Sequence, residues 1–187
     1  MGTKTFKVTI HMVASLDGFI ANQDGSIEWM HSTDKYENGV SLTEEYIADF
    51  LQSIDCYVMG SRTYEHAVEL GWAYGDTPVI VLTSRDLKAH KESVEFYSGD
   101  LNELINQLKS KYHSVWMVGG TEVTKEFLKQ QLADEIVVTI VPVLLGTQTL
   151  FSDYIGEEYK LHLKETTAFE HGMVELSYKI LKKLNTP

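Results

Sequence analysis

At 187 residues the chain has room for one well-buried domain and little more. Hydrophobic residues at 43% and charged residues at 23% form an ordinary globular balance, which excludes intrinsic disorder. A formal charge of -11 repels polyphosphate backbones and argues against nucleic acid, although a local basic pocket can still hold one small anion.

In chain order, residues 6–16 read as a strand, with Phe6, Val8 and Ile10 alternating against Lys7, Thr9 and His11 before a fully apolar Met12-Val13-Ala14. Asn22, Asp24 and Gly25 mark a turn. A loop over 39–43 closes on Ser41-Leu42-Thr43-Glu44, which has the form of a capping box. The helix after it places Tyr46, Ile47, Phe50, Leu51 and Ile54 on one side. Residues 56–59 form a short buried strand and 63–70 a short helix. A third strand over 78–82 ends at Thr83-Ser84-Arg85, and 94–97 is a minor strand. Asp100 to Glu103 cap a helix running to about Lys111, with Leu104, Ile105 and Leu108 as its apolar side. Residues 115–118 are a strand, and 124–132 the helix that follows.

The rhythm then changes to strands alone, over 135–143, 160–166 and 172–178. The last two suggest an antiparallel pair at a sheet edge. Strands and helices in alternation, then strands only, predict a three-layer α/β/α fold: one mixed, mostly parallel sheet with helices on both faces, in a single domain over 1–187.

Three junctions carry the chemistry: Ser15-Leu16-Asp17-Gly18, Gly60-Ser61-Arg62-Thr63-Tyr64, and the apolar strand ending in Val118-Gly119-Gly120. Glycines without a Cβ let backbone amides approach a pyrophosphate, and a helix terminus favours its charge. A tight turn explains the same glycines in isolation. Arg62 and Thr63 can take a phosphate, or serve as a solvent-facing cation and a helix cap. The GxGxxG fingerprint of ordinary dinucleotide-binding domains is absent. Cys56 is the only cysteine, so neither an intramolecular disulfide nor a thiolate cluster forms, and its apolar neighbours read it as a small buried group. The seven histidines show no metal-ligand spacing, and no metal is expected. No stretch approaches the ~20 apolar residues of a membrane span, and a cytoplasmic location is the expectation.

Taken in order, Ser15-Leu16-Asp17-Gly18, Gly60 to Tyr64, Thr83-Ser84-Arg85, Gly119-Gly120 and Pro142 to Gly146 with Leu150-Phe151 resemble the dihydrofolate reductase fold. Within it the likeness is to the reductase half of bifunctional riboflavin-biosynthesis enzymes and its stand-alone relatives. It covers about residues 5 to 181. The resemblance implies a sheet of about eight strands, NADPH as hydride donor, a homodimer, and a small heterocyclic or ribosylamino-pyrimidine substrate. It places Ala14, Gly60, Ser61, Arg62, Thr63, Thr83, Ser84, Arg85, Val118, Gly119, Gly120, Thr121, Glu122 and Thr124 against the cofactor. Gly119 and Gly120 are commonly joined by a cis peptide in that family. Ser15, Asp17, Trp29, Glu44, Leu145 and Gly146 fall around the substrate, with Asp17 and Glu44 as proton-carrying candidates if either is shielded enough to carry a raised pKa. Thr83 to Arg85 would receive the 2'-phosphate; Arg85 beside Asp86 is equally a surface pair. Asp17 before Gly18 equally forms a turn, and Glu44 equally closes the capping box. Trp29, His31, Trp72 and Tyr74 are candidates to line the cleft. Gln148 stands where the family usually has a second glycine. FMN in place of NADPH, folate as substrate, and a non-catalytic nucleotide-binding or scaffold protein are the competing expectations.

Overall fold

The structure, a computed structural model, describes residues 5–146, 149–150 and 158–182. Gln148 and Phe151 lie outside the described residues. The apolar alternation at the start becomes β1 (Lys7–Ser15), flanked by β6 (Ser114–Gly119) on one side and β7 (Glu135–Val141) on the other, both parallel to it. Beyond β6 lie β3 (Cys56–Gly60), β4 (Val79–Leu82) and β5 (Val94–Tyr97), again parallel. Beyond β7 come β10 (Val174–Leu181) and β9 (Lys160–Ala168), each antiparallel to its neighbour. The eight-stranded order is β5-β4-β3-β6-β1-β7-β10-β9. This is the expected mixed sheet with an antiparallel edge.

Strand alternation sorts the core into two layers. Val8, Ile10 and Met12 of β1 join Val58, Met117 and Ile136 under α3 (Leu101–Lys111) and α4 (Thr121–Lys129), whose Leu104, Leu108 and Phe127 fill that side. On the other face Tyr57, Met59, Val81 and Trp116 pack beneath α1 (Glu44–Gln52) and α2 (Ser61–Glu69). Phe127 is fully buried, and its truncation to alanine would cost about 3–5 kcal/mol. Cys56 is buried as expected, and burial pushes its thiol up to about 12.

Helix starts differ from the sequence expectations at three places. Thr43, not a Ser41–Glu44 box, caps α1: its Oγ1 accepts from the Tyr46 amide at 3.1 Å. Helices α2 and α4 begin at Ser61 and Thr121, immediately after Gly60 and Gly120, rather than at Thr63 and Thr124. Asp100 caps α3 as expected, accepting from the amides of Asn102 and Glu103. A small second sheet, not anticipated, pairs β2 (Phe19–Ala21) with β8 (Thr149–Leu150).

Candidate functional site

Because the six strands from β5 to β7 run parallel, their carboxyl ends share one rim, and β3 and β6 are neighbours there. Met59 lies opposite Gly119 after a one-residue register shift. Both strands feed directly into helices whose caps, Gly60 and Gly120, supply no side-chain hydrogen bond. Two adjacent helix N-termini therefore present amides without a side-chain acceptor at one spot, the arrangement an anion exploits. The approach is close: a Cβ on Gly60 would lie 3.8 Å from the Gly119 carbonyl and 3.9 Å from the Gly120 nitrogen. One on Gly120 would lie 3.6 Å from Thr63 Oγ1. Gly119 has φ of 107°, a conformation side chains resist, and the Gly119-Gly120 peptide is cis. These features fit a dinucleotide diphosphate.

The expected cofactor residues do not all face that spot with free polar groups. Thr124 is fully buried, and its hydroxyl donates to the Gly120 carbonyl at 3.2 Å, so it pins the start of α4. The Thr121 hydroxyl donates to the Leu150 carbonyl. Ala14 is buried at the end of β1, Val118 is half-buried on the α2 side, and Ser61 and Thr63 lie half-buried in the first turn of α2, whereas Arg62 and Glu122 are exposed. At the end of β4, Thr83 Oγ1 accepts from the Arg85 amide and Ser84 is exposed. Arg85 pairs with Glu65 of α2, not with Asp86. Arg62, one turn earlier, also lowers the Glu65 pKa. Arg62 and Arg85 are the only arginines in the chain, and both act on this one carboxylate.

Ser15, Asp17, Leu145 and Gly146 were expected around the substrate. They come together, but their polar groups serve each other. Ser15 donates to Asp17 at 2.6 Å and accepts from the Phe19 amide, while Asp17 accepts from the amides of Leu145 and Gly146 at 3.1 and 2.8 Å. These bonds, led by Ser15, hold the Asp17 carboxyl below its usual range, the reverse of the raised pKa expected of a proton donor. Asp17 is the clasp joining two rim loops.

Glu44 is exposed in the first turn of α1. His31 is likewise exposed. Trp72 and Tyr74 do not line a cleft: both pack in the α2-side core, with the Trp72 indole donating to the Gly75 carbonyl at 2.9 Å. Trp29, in a single 3₁₀ turn beside β1, keeps its indole N–H buried without a partner among the described residues. A ligand acceptor would satisfy it. His11 stacks on Trp116 with ring centres 4.2 Å apart, and burial lowers its pKa to about 4.

Two groups escaped the sequence reading. Glu65 sits in no motif, and the Arg85 it pairs with lies 20 residues away. Glu175, on β10, faces the α1 side and accepts from Thr139 of β7 at 3.3 Å. The strict alternation of 174–178 could have placed Glu175 on one face, but not beside Thr139. A cavity of about 540 Å³ opens elsewhere, where Phe127, Leu128 and Ala133 meet Ile180 and Leu181 at the amino ends of the parallel strands. It is remote from the glycines and adjoins residues outside the description, so the rim geometry locates the site better. Among the described residues no group of three potential metal ligands assembles, and no helix is long and apolar enough to cross a membrane.

The sequence profile of the RibD C-terminal domain family matches residues 6–175. The chain belongs to that family. The uncharacterised protein YwjB of Bacillus subtilis (strain 168) is 33% identical over 92% of this chain and 97% of its own. The dihydrofolate reductase of Gallus gallus is 26% identical over 80% of this chain and 84% of its own. Among solved structures, a riboflavin biosynthesis protein assigned in Shewanella sp. PV-4 superposes with a TM-score of 0.79 at 24% identity, over 95% and 100% of the two chains. The Thermotoga maritima deaminase/5-amino-6-(5-phosphoribosylamino)uracil reductase gives 0.68 at 16%, over 95% of this chain and 57% of its own. The fold of this RibD C-terminal domain protein is thus the dihydrofolate reductase-like α/β fold.

Proposed function

We propose that the protein is a reductase that draws hydride from NADPH and delivers it to a small heterocyclic or ribosylamino substrate, in the manner of 5-amino-6-(5-phosphoribosylamino)uracil reductases. The observation that carries this reading is the adjacency of the two glycine-capped helix N-termini at Gly60 and Gly120. Family membership and the named reductases among the relatives support it. The amides at the starts of α2 and α4 hold the diphosphate, with Thr63 beside them. The bare main chain of Gly119 and Gly120 leaves room for it, and Arg62 with Arg85 attends the adenosine end. NADPH supplies the hydride; the protein supplies orientation and exclusion of water. The Asp17 clasp keeps the loop at Leu145 and Gly146 over the end of β1, and Trp29 offers its unpartnered donor to substrate.

The same reading includes a homodimer. Leu161 and Leu163 are exposed on β9, which among the described residues is the edge strand, and an edge bearing exposed apolar side chains favours a second copy. Sedimentation of the purified protein as a monomer would remove that element.

Titration with NADPH, NADH and FMN, followed by quenching of tryptophan fluorescence, tests the cofactor. Saturable NADPH binding is expected. Binding of FMN alone would replace the reading with a flavin-linked reductase, and binding of none of the three would end it.

A further inference from the structure

Once Asp17 is a clasp and Glu44 is exposed, the reductase reading lacks a proton source within the fold. We propose that Glu175, on the α1 side of the sheet, is the substrate-contacting proton donor. This rests on the reductase reading.

The argument begins with register. Val13 of β1, Thr139 of β7 and Glu175 of β10 lie side by side across three strands. Residues directly opposite share a face, so Glu175 looks to the same side as Val13, the side on which Phe50 of α1 packs over His11 and Trp116. Ser15, two residues beyond Val13, ends β1 at the phosphate rim. Glu175 thus stands two residues below the rim that carries Gly60 and Gly119.

Its surroundings favour the neutral form over the charged one, relative to an ordinary glutamate. Glu175 is half-buried, and desolvation raises its pKa; the Thr139 hydroxyl lowers it and the Glu165 carboxylate of β9 raises it. From α1, the Tyr46 hydroxyl approaches closely enough that burial, then Glu175 and Glu165, push its own pKa up. His11, lower on the same face, is buried and uncharged at neutral pH. Among the described residues the groups acting on Glu175 are the Thr139 hydroxyl and the Glu165 carboxylate, neither of them a cation. Thr139 fixes one oxygen, leaving the other to meet a ligand heteroatom.

The step balances simply. As the carbon of a substrate C=N or C=O takes the hydride and its electron pair, the heteroatom forms a bond to the Glu175 proton. The Oε–H bond breaks, the carboxylate remains, and water restores its proton. Desolvation raises the Glu175 pKa, the direction a general acid needs, and half-burial leaves it open to water for recharging.

Carbon-13 NMR of protein labelled at glutamate carboxyls tests this without turnover. One resonance should titrate above the others, vanish in Glu175→Gln, rise in Thr139→Val and fall in Glu165→Gln. It should also shift when uracil, the probe pyrimidine, is added to saturation. Glu175→Gln should retain wild-type NADPH affinity within about twofold yet reduce 5-amino-6-(5-phosphoribosylamino)uracil about a hundredfold more slowly. Glu175→Asp should recover part of the rate. A Glu175 resonance that titrates with the bulk or ignores uracil overturns the assignment, as does a wild-type rate in Glu175→Gln. Failure of the wild-type protein to bind NADPH would instead sink the reductase reading, while the NMR titration still judges Glu175.

Discussion

The Arg85 guanidinium is forked onto the Glu65 carboxylate, with Nη1 at 2.8 Å and Nη2 at 2.6 Å. The pair holds the Glu65 carboxyl below its usual range and the Arg85 group above its own. A fork engaged in this way is a phosphate site already filled by a side chain. A 2'-phosphate must compete with Glu65, whereas a ribose hydroxyl could donate to that carboxylate. Glu65→Gln should therefore tighten NADPH about fivefold, the small gain being set by solvent screening of an exposed pair, and leave NADH unchanged or weaker. Arg85→Gln should weaken NADPH alone. Paired fluorescence titrations with the two cofactors decide, and equal effects on both would exclude this role.

The two rim glycines should separate stability from binding. A Cβ at Gly119 would meet Met12 Sδ at 3.1 Å in a backbone with φ of 107°, so Gly119→Ala should lose about 1–3 kcal/mol in urea denaturation. At Gly120 the added carbon would find only Thr63 Oγ1, at 3.6 Å, with φ of -75°. Gly120→Ala should therefore unfold near the wild-type midpoint while losing NADPH affinity. Full NADPH affinity in that variant would remove the diphosphate from this spot.

Asp17 should act as a loop fastener with a definite pH sign. Its folded pKa lies below 3.8, so its stabilisation is fully present above that value and disappears as pH falls through the folded pKa. At neutral pH Asp17→Asn should speed amide exchange at Leu145 and Gly146. In acid the two proteins should exchange alike. A constant difference across that range would mean that the charge is not what holds the loop.

His11 titrates with the same sign in a higher pH window. Its folded pKa of about 4 lies below the ordinary 6.5, so the unfolded chain binds the extra proton between these values and stability rises with pH. Between pH 7 and pH 5 the protein should lose about 2 kcal/mol through this residue. His11→Phe, which keeps an aromatic ring against Trp116, should flatten that slope. Urea titrations at the two pH values measure it.

Much of this architecture was present in local pattern. The alternation of Phe6 to Ile10, the Asp100 cap and the glycines at Gly60 and Gly119-Gly120 are set by backbone preference within a few residues, and each was readable. The first residues of α2 and α4 were not legible because neither helix has a side-chain cap to mark its start. The interactions that give the site its character are of another kind. Asp17 reaches Gly146 across 129 residues, Thr139 meets Glu175 across 36, and Arg85 finds Glu65 across 20. Alternation tells which face of a strand a side chain occupies, but not which strand lies beside it. The strand order β5-β4-β3-β6-β1-β7-β10-β9 supplies that neighbour, through long-range pairing that no short window of sequence encodes.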